Sequence, residues 1–197
     1  MLILTAIKAD KTRVMDYINR LDNYDGIELA KIAQKEQYQL FDEALCIYKK
    51  FNEHVEAVRV LIQNLQNIKA ATEYAEKINK PEVWTEIGKA QLDQFAIKEA
   101  IDAFIKARDP SMYALVIGTA GNQDCYEELV SFLLMARSML KEQMIDSELI
   151  FAYAKCGQRY LPELEQFISE PNQADIQKCG DRCFDEKLNE AAKILYS

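Results

Sequence analysis

At 197 residues, 49% of them hydrophobic and only six glycine and four proline, the chain is long enough to bury a core and too apolar to be disordered. Its 32 acidic and 24 basic residues leave a net charge of −8. That excess speaks against nucleic-acid phosphates, and against direct adsorption to an anionic membrane surface.

The chain opens on "MLILTAIKAD". This stretch has neither the basic start nor the small-residue cleavage site of a signal peptide, and it begins as if cut from the middle of a helix. No apolar run reaches the roughly 20 residues that span a bilayer. "LVSFLLMARSML", Leu129 to Leu140, is broken by Arg137 and reads as a buried helix. Nothing directs the chain out of the cytosol, so a cytoplasmic location is expected. Five scattered cysteines, Cys46, Cys125, Cys156, Cys179 and Cys183, do not suggest a disulfide framework and read as buried free thiols.

From the N-terminus onward the same local phrase recurs. A small or apolar residue precedes an aromatic or aliphatic one by four positions at Val14/Ile18, Ala44/Tyr48, Ala70/Tyr74 and Ala100/Phe104, and again at Ala192/Tyr196. Glu128/Phe132 and Glu163/Phe167 fill the gap, with glutamate at the first place. Successive pairs are 30, 26, 30, 28, 35 and 29 residues apart, a mean just under 30. Residues four apart share a helix face, so each pair marks one packed helix.

A second set of helices alternates with these, beginning near Ile27, His54, Glu82, Ser111, Ser147 and Asn172. Pro81, Pro110 and Pro171 stand at three of those starts, where a missing N–H costs nothing. Asp109 is a candidate cap, and Asp146-Ser147-Glu148 supplies a cap signal where proline is absent. Pro162 opens a helix of the first set. The 35-residue step is assigned to a longer helix from about Tyr126 to Met144. Asp25-Gly26 falls between helical periods, and no strand pattern competes.

A single hairpin of about 30 residues cannot bury its apolar stripe alone, whereas stacked hairpins share one continuous core. The expected fold is therefore all-α, a right-handed α-solenoid of stacked helix hairpins. It occupies residues 1–197 as one segment of a longer array, since no polar capping helix closes either end. The tetratricopeptide Trp-Leu-Gly-Tyr pattern is not present.

The phrases "TRVMDYINRLDNYDG", "NKPEVWTEIGKAQL", "IKEAIDAFIKARDPSMY", "SELIFAYAK" and "CGDRCFDEKLNEAAKILY" closely resemble the leg of the clathrin heavy chain, in order and over essentially the whole chain. The resemblance implies a structural role: a leg segment near the knee that packs against other legs in the lattice of coated pits and vesicles, in endocytosis and intracellular transport. It implies other heavy chains as partners, as a homotrimer and lattice. A light chain would bind mainly beyond this segment, and membrane would be reached only through adaptors. The location implied is the cytoplasmic face of coated vesicles, the isolated segment being monomeric. Coats of this kind favour assembly at mildly low pH. "KCGQRYLPELEQF" is longer, and "MARSMLKEQMIDSE" less basic, than the family pattern, which marks a divergent member; no lattice contact is carried over to individual residues. The alternative is a free-standing helical-repeat scaffold or a vacuolar-sorting tether.

Cys179 and Cys183 lie four apart on one helix face and would need Cys156 or His54 to hold zinc, whereas structural zinc sites are built from two close pairs. Burial is their expected role. His54, the only histidine, could pair with a cysteine, but no nucleophile signature surrounds any cysteine, and a solvated or capping histidine is expected. "GTAGNQD", Gly118 to Asp124, lacks the Lys-Ser/Thr of a phosphate loop and reads as a turn. Trp84, at helical spacing with Ile87 and Leu92, reads as core and not as a binding anchor. Glu142 and Asp146, like charges four apart, argue against an ion-pair ladder there. No catalytic, cofactor or metal site is expected, the chain is not read as an enzyme, and no residue is assigned to a partner.

Overall fold

The computed structural model describes residues 2–197, which contain helices and turns and no strand. The chain divides into two compact units at Ala90/Gln91. The first holds α1 (Leu2–Ala9), α2 (Val14–Arg20), α3 (Gly26–Ala33), α4 (Phe41–Lys50), α5 (His54–Arg59) and α6 (Ile68–Ile78), with most of α7 (Pro81–Asp93). The second holds α8 (Ile97–Ala107), α9 (Tyr113–Asn122), α10 (Tyr126–Met139), α11 (Gln143–Lys155), α12 (Leu161–Ser169), α13 (Ile176–Asp185) and α14 (Asn189–Tyr196). In the second unit α10 packs on both α8 and α11, α11 on α12 and α13, and α13 on α14. These helices thus touch both a neighbour in their own hairpin and the next hairpin, the pattern of an α-solenoid.

The repeat is written into the backbone as well as the side chains. Gln39, Gln66, Phe95 and Asp124 have left-handed φ of 54, 49, 58 and 52°, and follow one another at 27, 29 and 29 residues. Asn52, Asn79 and Arg108 form a second row at 27 and 29. Each sits where a helix ends and the chain reverses. After most of them the next amide reaches back five residues: Glu53 to Tyr48, Ala96 to Gln91, Asp109 to Phe104 and Cys125 to Ala120, at 2.9 to 3.1 Å. This left-handed closure satisfies carbonyls that a helix end would otherwise orphan. It is made here without glycine, although a side chain in that region costs about 1–2 kcal/mol.

The stripe pairs line the cores only in part. Val14/Ile18, Ala44/Tyr48 and Ala100/Phe104 are all at most 1% exposed, and the Phe104 and Phe132 rings meet edge-on at 6.3 Å. Elsewhere the buried face lies one residue along. Ala71 and Ala75 are buried in α6 in place of Ala70/Tyr74, Leu129 and Leu133 join Phe132 in α10, Leu164 replaces Glu163, and in α14 Ala192 is buried beside Ala191 while Leu195 takes the place of Tyr196, which is 54% exposed. Small side chains take the closest helix contacts, and the aromatic ring leans to the side of the seam.

Pro81 begins α7 and Pro162 lies in the first turn of α12, as their chemistry requires. Asp25 caps α3 by accepting from the Glu28 amide at 3.1 Å. Gly26 follows because a Cβ there would enter the Phe51 ring. Three expected starts are displaced. Pro110 lies in a turn, with Asp109 accepting from the Ser111 amide at 2.9 Å, and α9 begins only at Tyr113. Pro171 belongs to an extended stretch, and Asp175 caps α13 by accepting from the Lys178 amide at 3.2 Å. The cap signal Asp146-Ser147-Glu148 lies inside α11, which starts at Gln143, because Asp146 is buried against a partner and does not turn outward. No single helix runs from Tyr126 to Met144: α10 stops at Met139, where Leu140 turns extended at φ −120°, ψ 133°. The long step comes from 14 residues in α10 and a 3-10 turn, Gln158–Tyr160, before α12. "GTAGNQD" is mostly the end of α9, only Gln123 and Asp124 forming the turn.

Candidate interaction surfaces

The polar bonds between hairpins repeat with the fold. Lys11 donates to the Tyr38 carbonyl at 2.8 Å, and Lys50 to the Ile18 carbonyl at 2.9 Å and to Asp22 at 2.6 Å. Arg59 meets Glu86 at 2.9 Å, Lys98 meets Glu128 at 2.7 Å, and Lys155 meets Glu186 at 2.7 Å. Each clamp spans about one repeat in sequence. The carboxyls of Glu86, Glu128 and Glu186 are held below the usual range, first because they accept hydrogen bonds from those cations. Such half-exposed pairs contribute little stability each, and mainly fix the register of one hairpin on the next.

Two of the grooves in the second unit are lined by several hairpin elements. One, of about 450 Å³, lies between α10, α11 and the stretch after α12, with Leu134, Leu140 and Pro171 as apolar walls and Arg137, Lys141 and Asp146 as charged groups. The other, of about 430 Å³, is lined by Lys98, Asp124, Glu127, Glu128, Lys155 and Cys156. Apolar side chains also stand in solvent, led by Phe95 at 71% and Phe184 at 64% exposure. Phe95 combines this exposure with a left-handed backbone, where the other residues of its two rows are polar.

The residues singled out for chemistry fall into structural places. Trp84 is 3% exposed and belongs to the interior with Val83 and Ile87. Cys179 and Cys183 are buried on α13; burial pushes the Cys183 thiol up to about 11 and also raises Cys179, whose Sγ lies 3.6 Å from the Ser147 carbonyl. Cys156, half-buried, is likewise pushed up to about 11. Thiols held protonated are poor nucleophiles and poor metal ligands. Among the described residues no three His, Cys, Asp or Glu side chains are grouped to hold a metal ion.

His54 neither caps a helix nor stands free. It is the first residue of α5, half-buried, with Nδ1 2.7 Å from the Tyr74 hydroxyl. Burial, with Lys80 nearby, lowers its pKa below the ordinary imidazole value. The residues that sequence reasoning missed are Arg137 and Asp146 acting together. The one signal was an arginine inside an apolar run, which burial had to pair with something.

A family model described as "Clathrin: Region in Clathrin and VPS" matches residues 1–98 and 104–197. The chain is 52% identical over all 197 residues to the clathrin heavy chain of Drosophila melanogaster, and 53% identical over the same length to that of Dictyostelium discoideum. It is 48% identical over its full length to clathrin heavy chain 2 of Homo sapiens. The chain belongs to the clathrin heavy-chain family. It spans 11 or 12% of the length of these heavy chains. The stacked hairpins are thus those of the clathrin repeat, and neither a free-standing helical-repeat scaffold nor a vacuolar-sorting tether is favoured.

Proposed function

We propose that this chain is a structural leg segment of a vesicle-coat protein, which packs against other heavy-chain legs in a polyhedral lattice and serves endocytosis and intracellular protein transport. The observation that carries this reading is near-50% identity to clathrin heavy chains from an insect and an amoeba over every residue of the chain. A solenoid suits the role. Its stability is summed from neighbour contacts, so it can be long and stiff without a single large core. The work of such a segment is mechanical, and no reaction is assigned to it. Its partners in this reading are other heavy chains. A light chain would bind mainly outside these residues, and membrane would be reached through adaptors. The location is the cytoplasm, on the coat of pits and vesicles, and residues 1–197 act as one stretch of the leg.

The test is a segment exchange. The matching stretch of the Drosophila heavy chain is replaced by these 197 residues, and cage formation is followed by light scattering and electron microscopy. Closed cages at near-normal yield are expected. Trimers with folded legs that fail to close cages would overturn the proposal.

A further inference from the structure

We propose that Arg137 and Asp146 form a latch that holds residues 170–175 as an ordered strap, and that this strap is the point where the second unit opens first. The turns at Asn52, Phe95, Arg108 and Asp124 are closed by their own backbone, through a left-handed residue and an amide reaching back five positions. The connection from α12 to α13 has neither. Glu170 leaves α12 in an extended conformation, at φ −92° and ψ 158°, and the strap runs to the Asp175 cap with no left-handed residue.

The strap's polar groups are satisfied by side chains from the preceding hairpin. Arg137 Nη2 donates to the Pro171 carbonyl at 2.9 Å. The Gln173 amide donates to Asp146 Oδ2 at 2.8 Å, and the Asp175 amide to Ser147 Oγ at 3.2 Å. Arg137 Nε in turn donates to Asp146 Oδ1 at 2.8 Å, while its guanidinium lies 4.7 Å from the centre of the Phe167 ring. Asn172 adds the strap's own bonds, to the Glu170 carbonyl at 2.9 Å and from the Ala174 amide at 3.1 Å.

One carboxylate therefore links three chain segments. Asp146 is 7% exposed at its side chain and Arg137 30%, so removing either partner leaves the other's charge unpaired in a site largely shielded from water. The carboxylate and the carbonyl are taken by different nitrogens of one planar fork, Nε and Nη2, which the single ammonium of a lysine does not offer. Order in the strap is imported through this pair, and its loss frees the strap before it disturbs the helices on either side. The inference concerns local order and stands apart from the coat reading.

Amide hydrogen exchange on the intact chain at neutral pH tests it. In Arg137→Met the amides of Gln173 and Asp175 should exchange about tenfold faster or more, since a buried charge has lost its partner. Amides at the centres of α10 and α11 should keep their protection. In Ser147→Ala only the Asp175 amide should quicken. Equal protection of the strap in Arg137→Met and the parent chain would overturn the proposal. So would loss spread evenly over α10 to α13, which would make the pair an ordinary core contact. Should Arg137→Met fail to fold, Arg137→Lys keeps the charge and removes the fork, and the same two amides decide: faster exchange confined to the strap supports the latch, and unchanged exchange refutes it.

Discussion

At the residue scale, the left-handed positions are where the sequence carries strain. Lys187 has φ 61° and an exposed side chain, and the amide of Leu188 after it reaches back to the Cys183 carbonyl at 2.8 Å. Lys187→Gly should therefore raise stability by about 0.5–1 kcal/mol: relief of about 1–2 kcal/mol of backbone strain outweighs the extra freedom glycine gives the unfolded chain. Urea unfolding measures it, and an unchanged or lower midpoint would contradict the strain. Gly26 is the opposite case. A methyl group there would push the Phe51 ring off its edge contact with Tyr24, centroids 5.2 Å apart, and Gly26→Ala should cost about 1–3 kcal/mol. His54 also makes a signed prediction. Its folded pKa is lowered by burial, so the unfolded chain binds its proton more readily. The neutral form's contribution is complete well above the ordinary imidazole pKa of about 6.5, and is lost as pH falls through that value toward the lowered one. The difference in stability between the parent and His54→Gln should shrink over that window, as read from denaturant midpoints at pH 7.5 and 5.5.

At the element scale, the seam between hairpins governs stability. Ala100 is 0% exposed beside Phe104, with α8 packed against α10. Ala100→Glu buries a charge or forces the hairpins apart, at a cost of several kcal/mol. Because neighbours support one another in a repeat array, protection should fall in α9 and α10 as well as α8. A melting profile equal to the parent's would put this face on the wrong side. The period of the array was legible because every helix has to bury one face, and the i, i+4 rule records that face directly. The choice between adjacent residues was not. "IKAATEY" offers two stripes, and the helix settles on Ala71 and Ala75 while Tyr74 turns aside to His54. Prolines marked helix starts at Pro81 and Pro162, where local chemistry decides, and misled at Pro171, whose carbonyl is claimed by an arginine 34 residues earlier. The latch was illegible for the same reason: Asp146 looks like a cap until Arg137 is seen beside it.

At the scale of the whole molecule, charge decides how copies meet. A chain of net charge −8 repels its own kind, and with a Debye length of about 8 Å at physiological salt that repulsion acts once two copies approach closely. The isolated segment should accordingly be monomeric at neutral pH, without the multivalency that a trimer of legs supplies; sedimentation at micromolar concentration tests this, and a stable dimer would contradict it. In the coat reading proposed above, assembly at mildly low pH would need groups that take up protons in that range. His54 is the only histidine, and its surroundings work against it. Burial and Lys80 both disfavour the imidazolium, and Nδ1 is already engaged with the Tyr74 hydroxyl inside its own unit. At any given pH it is less charged than an ordinary imidazole. Carboxylates brought together between legs are the better proton acceptors, because like charge raises their pKa values as the surfaces approach. The clamped glutamates Glu86, Glu128 and Glu186 are poor candidates, since their cations hold them ionised, which leaves the unclamped acidic surface. Heavy-chain legs carrying this segment with His54→Ala should therefore keep their pH-dependent assembly, followed by light scattering between pH 7.5 and 6. Loss of the pH response in that variant would make the histidine the switch and overturn the carboxylate account.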